Sequence, residues 1–323
     1  MTIDPNSVNA SEFQAYLQSA IAPRPIAFAS TVDKDGRVNL SPFSYFNVFS
    51  SNPPILVFSP SRRVRDNTTK HTLENIHDVK EVVINIIDFS MVEQMSLAST
   101  EYDKGVNEFV KSGLTEVKSM KISPPRVKEA PVSFECTVKE IISLGDQGGA
   151  GNLIICEVVM AHIDDAILDS KGLIDPFKFE AVARMGGNWY CRVTKESLFE
   201  IPKPLRNKGI GVDQLPDMVK NSLVLTGNNL GRLGNIEKLP SDEEVWEYGN
   251  SPEIEEIKIR FQNDHESLLF NLHTHAKALL DAGNIEDAWK DIPCAKCRDT
   301  SIELWERVQP FKDGFVRIWN FVV

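Results

Sequence analysis

Basic and hydroxyl side chains gather between residues 59 and 72 of a chain that is otherwise acidic. Four cations are accompanied there by six hydroxyl or amide side chains: Arg62, Arg63, Arg65 and Lys70, with Ser59, Ser61, Asn67, Thr68, Thr69 and Thr72. A phosphate monoester needs fixed cations, hydroxyl or amide donors and, ideally, the free N–H groups of a helix start. The stretch therefore favours a phosphate site, whereas the charge run alone is equally typical of a solvated surface loop.

A second polar set comes shortly before the basic stretch and alternates with aromatic rings. Its members are Ser30, Thr31, Ser41, Ser44 and Asn47, interleaved with Phe43, Tyr45, Phe46 and Phe49. A flat heteroaromatic ring needs an apolar wall and a few donors and acceptors in its plane. The alternative is an amphipathic strand with exposed hydroxyls. Because this set directly precedes the basic stretch, we favour a site for a phosphorylated aromatic cofactor.

Strands on both sides of the basic stretch predict a mainly β scaffold with some helix. The strand-like runs are residues 26–32, 38–49, 54–58, 81–87, 132–144 and 152–163, and a helix over 68–79 follows the basic stretch. Since long crossover helices do not separate the strands, we expect a small antiparallel β-barrel with helices at its rim. The segment GDQGGAG has no helix after it, which favours a mobile hairpin tip over a dinucleotide-binding phosphate loop.

Composition limits the classes of partner. The 323 residues carry a net charge of −11, which argues against a general nucleic-acid or anionic-membrane binder, because both need an extended positive surface. The sequence contains no secretory leader pattern and no apolar run of membrane-spanning length. Five cysteines in a long chain suit reduced thiols better than a disulfide framework. We therefore expect a cytoplasmic protein.

A change of composition divides the chain near Pro202 and Pro204. We expect one domain over residues 1–204 and a mostly helical C-terminal extension over 205–323. In the extension, acidic residues gather before Pro252, and apolar residues from Ile254 to Leu279 recur at helical spacing. This pattern predicts helices with a solvated acidic face.

The ordered residues PRPIAFASTVDKDGRVNLSPFSYFNVFSSNPPILVFS, followed by KHTLENI, resemble the flavin reductase-like, FMN-binding split-barrel proteins. The likeness is strong over Pro23–Ile87. It continues more weakly at Arg184–Tyr190, where RMGGNWY is similar to the family's R-x-G-G-x-x-Y. One departure is His71, where the family usually has Asp. The resemblance implies an antiparallel split β-barrel of the FMN-binding type, to which this chain adds its helical region.

The resemblance also implies a role for each matching residue. Ser30 and Thr31 are expected at the isoalloxazine edge, and Ser44, Phe46 and Asn47 along the ring and ribityl chain. Arg62, Lys70 and Thr72, together with Ser59, are expected at the phosphate. The remaining cofactor-binding residues, Arg184, Gly187 and Tyr190, are expected from a second subunit, since proteins of this family are typically homodimers with flavin at the interface.

Two other kinds of site have less support in the sequence. The pairs His273 and His275, then Cys294 and Cys297, supply four zinc-ligand types, but two histidines two residues apart on one helix point about 200° apart. No G-x-S-x-G elbow indicates a serine hydrolase. We therefore predict no metal site and name no general acid or base.

The function implied by the resemblance is hydride transfer from NADH or NADPH to bound FMN. Electrons then pass to free flavin, a partner monooxygenase or another acceptor, and the flavin performs the chemistry. The alternative is a non-enzymatic FMN-binding electron carrier or sensor whose C-terminal helices dock a partner.

Overall fold

The computed structural model describes residues 1–201 and 208–292. The chain divides into two compact units, Met1–Phe199 and Glu200–Val323. The domain boundary expected after residue 204 falls in the segment 202–207, and Cys294 and Cys297 follow residue 292, so all three lie outside the described residues.

The first unit is built on antiparallel strands. In chain order they are β1 (Ala27–Val32), β2 (Val38–Phe43), β3 (Phe46–Ser51), β4 (Pro54–Phe58), β5 (Glu81–Ile86), β6 (Glu116–Val117), β7 (Arg126–Val127), β8 (Val132–Ser143), β9 (Asn152–Ile163), β10 (Val182–Arg184) and β11 (Tyr190–Arg192). Seven of them form one sheet in the order β2-β1-β5-β8-β9-β4-β3, while β6 pairs with β7 and β10 with β11. This antiparallel sheet is the split barrel that the resemblance implies.

The split lies between consecutive strands, β2 and β3. The extended run predicted over residues 38–49 is two strands, which contradicts the expectation of one bent strand. The chain turns at Ser44 and Tyr45 because β2 pairs with β1, whereas β3 pairs with β4 at the other edge of the sheet. The turn therefore links the two edges, and the residues expected along the flavin lie on either side of it.

Strand β1 is buried on both faces, which explains its continuous run of small and apolar residues. Ala27 and Ala29 pack in a core with Leu73 and Ile76, whereas Phe28 packs in a second core on the opposite face. Successive side chains of a strand point to opposite faces. Both faces of β1 are therefore occupied, and Ser30 and Thr31 are wholly buried there.

Four helices belong to this unit: α1 (Ala10–Ala20), α2 (His71–Asp78), α3 (Val92–Leu97) and α4 (Glu108–Ser112). Helix α2 begins three residues later than the sequence indicates. The reason is local, since Asn67 adopts a left-handed conformation with φ of 57° and the chain is extended at Lys70, the residue that precedes the helix. Residues 68–70 therefore belong to the basic stretch.

The second unit is helical over its described residues. The helices are α5 (Asp217–Lys220), α6 (Gly227–Gly234), α7 (Asp242–Gly249), α8 (Pro252–Arg260), α9 (His265–Asp281) and α10 (Ile285–Asp291). The apolar pattern from Ile254 to Leu279 spans two helices, because the chain leaves α8 at Phe261 and Asp264 caps α9. None of the helices in the described residues is long and apolar enough to cross a membrane.

Candidate functional site

The basic stretch folds as a compact loop between β4 and α2. The Arg62 guanidinium donates from Nε to the Asn67 Oδ1 at 2.6 Å and from Nη2 to the Asn67 carbonyl at 2.7 Å. Arg63 donates from Nη1 to the Thr68 hydroxyl at 2.9 Å and to the Thr69 carbonyl at 2.5 Å. Both arginines therefore fix the shape of their own loop, and each retains further N–H donors.

The carboxylate of Glu101 forms ion pairs with two arginines of the loop. Glu101 accepts from Arg63 Nε at 3.1 Å and from Arg65 Nη2 at 3.0 Å. Arg65 also pairs with Asp66 at 3.0 Å and is 72% exposed, so its charge is solvated. These contacts leave Arg65 at the rim of the loop rather than inside it.

The glycine-rich tip of the β8–β9 hairpin, residues 145–151, packs against the basic loop. The Arg62 N–H donates to the Ala150 carbonyl at 2.8 Å, and the Gly149 N–H donates to the Arg62 carbonyl at 3.0 Å. The Asn67 Nδ2 donates to the Asp146 carbonyl at 2.9 Å. The tip is therefore held against the loop by hydrogen bonds, which contradicts the expectation of a mobile tip.

Close packing explains why this tip is rich in glycine. A Cβ at Gly148 would lie 3.0 Å from the carbonyl oxygens of Arg63 and Val64. A Cβ at Gly151 would lie 2.6 Å from the Ser59 Oγ. Only a residue without a side chain lets the two backbones approach so closely.

Lys70 is a half-buried cation of the loop that has no counter-ion among the described residues. Its Nζ lies 5.1 Å from the centre of the Phe43 ring, and within residues 1–201 and 208–292 it has no hydrogen bond or ion pair. Burial lowers the pKa of the Lys70 ammonium, and the charge of Arg63 lowers it further, while Glu101 partly offsets both effects. A half-buried ammonium in this state favours an anion at its side.

Ser59 connects the basic loop to the split of the barrel. Its N–H donates to the Tyr45 carbonyl at 2.8 Å, so the end of β4 lies against the turn between β2 and β3. Phe43 and Phe58, on the strands beside this turn, have ring centres 5.4 Å apart. The loop cations and the aromatic strand ends therefore meet at one place.

An apolar groove begins on the β3 side of this turn. It encloses about 400 Å³ and is lined by Phe46, Asn47, Leu56, Phe134 and Val158, among others. Phe46 and Asn47 both line this groove.

Three of the expected flavin residues are buried, and two of them hydrogen-bond to other side chains. Thr31 accepts a hydrogen bond from the Asn75 Nδ2 at 3.1 Å, and Thr72 donates to the Asn39 Oδ1 at 2.6 Å. Ser30 is 0% exposed, and its hydroxyl has no hydrogen-bond partner among the residues that the structure describes. The structure does not bring these three hydroxyls to an accessible surface.

Arg184, Gly187 and Tyr190 form a small hairpin in the same unit. The Arg184 guanidinium lies 4.6 Å from the Tyr190 ring centre and donates to the Gly187 carbonyl at 2.8 Å. Arg184 and Arg24 exchange two backbone hydrogen bonds of 2.9 Å, and the Arg24 Nε donates to the Ser44 Oγ at 3.4 Å. Within one chain, the hairpin therefore lies next to the turn at the split.

The two histidines considered for zinc have separate partners. His273 Nδ1 lies 2.7 Å from the Ser222 hydroxyl, and His275 Nδ1 lies 2.9 Å from the Asp291 Oδ2. Within the described part of the chain, no three metal-ligating side chains form a cluster that could hold an ion.

The fold defines a split-barrel protein with a basic loop beside the split, and comparison with known proteins gives its family. Residues 19–177 match the flavin reductase like domain. An uncharacterized protein of Aquifex aeolicus is 38% identical over 181 residues, which are 56% of this chain and 90% of that protein. The chain therefore belongs to the flavin reductase-like family.

Solved structures agree with this assignment. The nitrilotriacetate monooxygenase component B of Bacillus cereus is 30% identical with a TM-score of 0.58, and the match covers 62% of this chain and 98% of that one. The 2-nitrobenzoate 2-nitroreductase of Pseudomonas fluorescens is 26% identical with a TM-score of 0.56, over 65% and 100% of the two chains. A split-barrel protein of Shewanella frigidimarina is 27% identical with a TM-score of 0.54, over 63% and 99%.

Proposed function

We propose that this protein is an FMN-dependent oxidoreductase. It would take hydride from NADH or NADPH onto bound FMN and pass the electrons to an acceptor. Membership of the flavin reductase-like family supports a flavin as the cofactor. The observation that carries the choice of FMN is the ammonium group of Lys70, which is half-buried beside Phe43 and lacks a counter-ion among the described residues.

The residues at the split fit a flavin phosphate. Lys70 supplies an uncompensated charge, Arg62 supplies N–H donors beyond those bonded to Asn67, and Ser59, which begins the same loop, supplies a hydroxyl. A phosphate dianion would restore the charge balance that burial disturbs at Lys70. Riboflavin, which lacks the phosphate, would gain nothing from these groups.

The ring and ribityl chain would lie towards the groove. Phe46 provides an apolar wall and Asn47 an amide beside it, while Ser44 lies at the turn between them and the basic loop. The bound flavin supplies the hydride-accepting chemistry. The tasks left to the protein are to bind it, to hold it in one orientation and to limit access of water. Under this proposal, no side chain acts as a general acid or base.

A second copy of the chain would complete the site. The groove is open, and Val48 and Phe49 on the edge strand β3 are 63% and 69% exposed. Pairing of two copies would cover these apolar side chains and would bring Arg184 and Tyr190 of one copy towards the flavin of the other. We therefore propose a homodimer with flavin at its interface.

The acceptor is proposed from the two neighbours with the highest TM-scores given above. One is a monooxygenase component and the other is a nitroreductase. We propose that electrons leave the flavin towards a partner oxygenase, free flavin or a small oxidised acceptor such as a nitroaromatic compound.

A spectroscopic and a kinetic measurement test the proposal together. The purified protein is mixed with FMN or riboflavin, passed through a desalting column and examined for the visible flavin bands. NADH and NADPH oxidation is then followed with and without added FMN. Retained FMN with oxidation of either nucleotide supports the proposal. Retained FMN without turnover would favour the electron carrier, and no retention of FMN would overturn both functions.

A further inference from the structure

Hydrogen bonds among three buried polar side chains connect β2, α2 and α4. The Glu108 carboxylate accepts from the Leu40 N–H at 2.9 Å and from the Asn39 Nδ2 at 2.8 Å. The Asn39 Oδ1 in turn accepts from the Thr72 hydroxyl at 2.6 Å. Asn39, Thr72 and Glu108 are 8%, 1% and 4% exposed, so water does not compete for these bonds.

Glu108 determines which group donates and which accepts in each of these hydrogen bonds. Both of its oxygens face N–H groups, so the carboxylate can only accept, although burial raises the pKa of Glu108. The Asn39 amide must therefore present its nitrogen to Glu108 and its oxygen to Thr72. The Thr72 hydroxyl proton is consequently committed to Asn39 and is not available to a ligand.

Two residues on one face of β2 contact the start of α2 and the lysine before it. Asn39 and Phe43 lie four residues apart on β2 and so point to one side of the sheet. Asn39 holds Thr72 in the first turn of α2, and Phe43 lies beneath the Nζ of Lys70, which precedes that turn. A displacement of Thr72 from Asn39 would therefore move Lys70 relative to Phe43.

We propose that Asn39 and Glu108 are positioning residues for the FMN phosphate. They hold Thr72, and with it the start of α2, so that Lys70 presents its charge at one fixed place. The inference rests on the proposed function. Glu108 lies 36 residues beyond Thr72 in the chain and outside the Pro23–Ile87 stretch that resembles the family.

The test uses Thr72→Val, which keeps the branched shape but removes the donor, and Thr72→Ser, which keeps the donor. Dissociation constants for FMN and riboflavin are measured by calorimetry on the full chain, with a thermal unfolding curve for each variant. We expect Thr72→Val to weaken FMN about tenfold, the equivalent of one buried hydrogen bond, and riboflavin less than about twofold. Thr72→Ser should bind both as the wild type does.

A double-mutant cycle with Asn39→Ala distinguishes positioning from direct contact. If Thr72 acts through Asn39, the double variant loses no more FMN affinity than the more affected single variant. Additive losses would show that Thr72 touches the phosphate itself and would overturn the inference, as would equal losses for FMN and riboflavin. Should Asn39→Ala fail to fold, Glu108→Gln takes its place in the cycle, because Glu108 orients the Asn39 amide and so acts on Thr72 only through Asn39. A wild type that binds neither flavin would overturn the proposed function as well.

Discussion

The substitution Gly148→Ala tests whether the hairpin tip supports the basic loop. The added Cβ would lie 3.0 Å from two carbonyl oxygens and 3.1 Å from the Val64 Cα, all of them backbone atoms that cannot rotate away. The loop backbone must therefore shift by several tenths of an ångström. The φ angle of Gly148 lies outside the left-handed region, so the strain expected for alanine comes from these contacts and not from a left-handed backbone.

Overpacking of this kind costs about 1–3 kcal/mol. The strain falls on the segment that carries Arg62 and ends at Lys70, while both cores of the first unit are untouched. If the proposed phosphate site is right, part of this free energy appears as weaker FMN binding, up to about tenfold. Riboflavin binding should change less.

Gly151→Ala supplies a contrasting perturbation. Its Cβ would meet the Ser59 Oγ, a side-chain atom, at 2.6 Å. The substitution Ser59→Ala removes that atom, so it should relieve the strain of Gly151→Ala but leave that of Gly148→Ala unchanged. Gly231→Ala is the control, since its Cβ would meet nothing within 4 Å in α6.

Flavin fluorescence titrations and urea unfolding of these variants provide the assay. If Gly148→Ala matches Gly231→Ala in both FMN affinity and stability, the hairpin tip does not support the basic loop. If Ser59→Ala relieves the strain of Gly148→Ala as fully as that of Gly151→Ala, the two contacts are not separate, which contradicts the packing described here.

Two further predictions concern buried polar groups. Ser30→Ala should leave stability within about 1 kcal/mol of the wild type and flavin affinity unchanged, because the Ser30 hydroxyl has no hydrogen-bond partner to lose; a clear loss of flavin affinity in titrations would show that Ser30 contacts the ring. Burial raises the pKa of Asp291 to about 7, so the folded chain holds a proton that the unfolded chain releases near pH 4. Stability of the helical unit should therefore fall as pH rises from about 4 to 7, by at most about 4 kcal/mol, and Asp291→Asn should flatten that slope in urea unfolding. An unchanged slope in the variant would contradict the assignment.

Local patterns were sufficient to predict most of the elements of the first unit. Alternating and continuous apolar runs indicated the strands, and the spacing of Leu73 and Ile76 indicated α2. These patterns involve residues that are close together in the sequence, so they can be recognised without knowledge of the fold. The split between β2 and β3 was not predictable, because it depends on which distant strand each one pairs with.

The same limit applies to the site. The sequence placed Ser59, Arg62 and Lys70 together because they are neighbours in one loop. It did not indicate that β1 is covered on both faces, and hence that Ser30 and Thr31 are buried. Thr72 has its partner 33 residues away at Asn39, and Arg62 of the loop has its partner Ala150 on the β8–β9 hairpin 88 residues away, where no local pattern indicates contact.

The most direct test of the phosphate site is the affinity of Lys70→Met for FMN and for riboflavin, measured by calorimetry beside the wild type. Methionine keeps the length and apolar contact of the side chain over Phe43 but removes its charge. The account predicts that FMN binding weakens about 10- to 100-fold, as expected for a lost charge-assisted hydrogen bond, while riboflavin binding changes less than about twofold. Equal weakening of both flavins, or of neither, would contradict it.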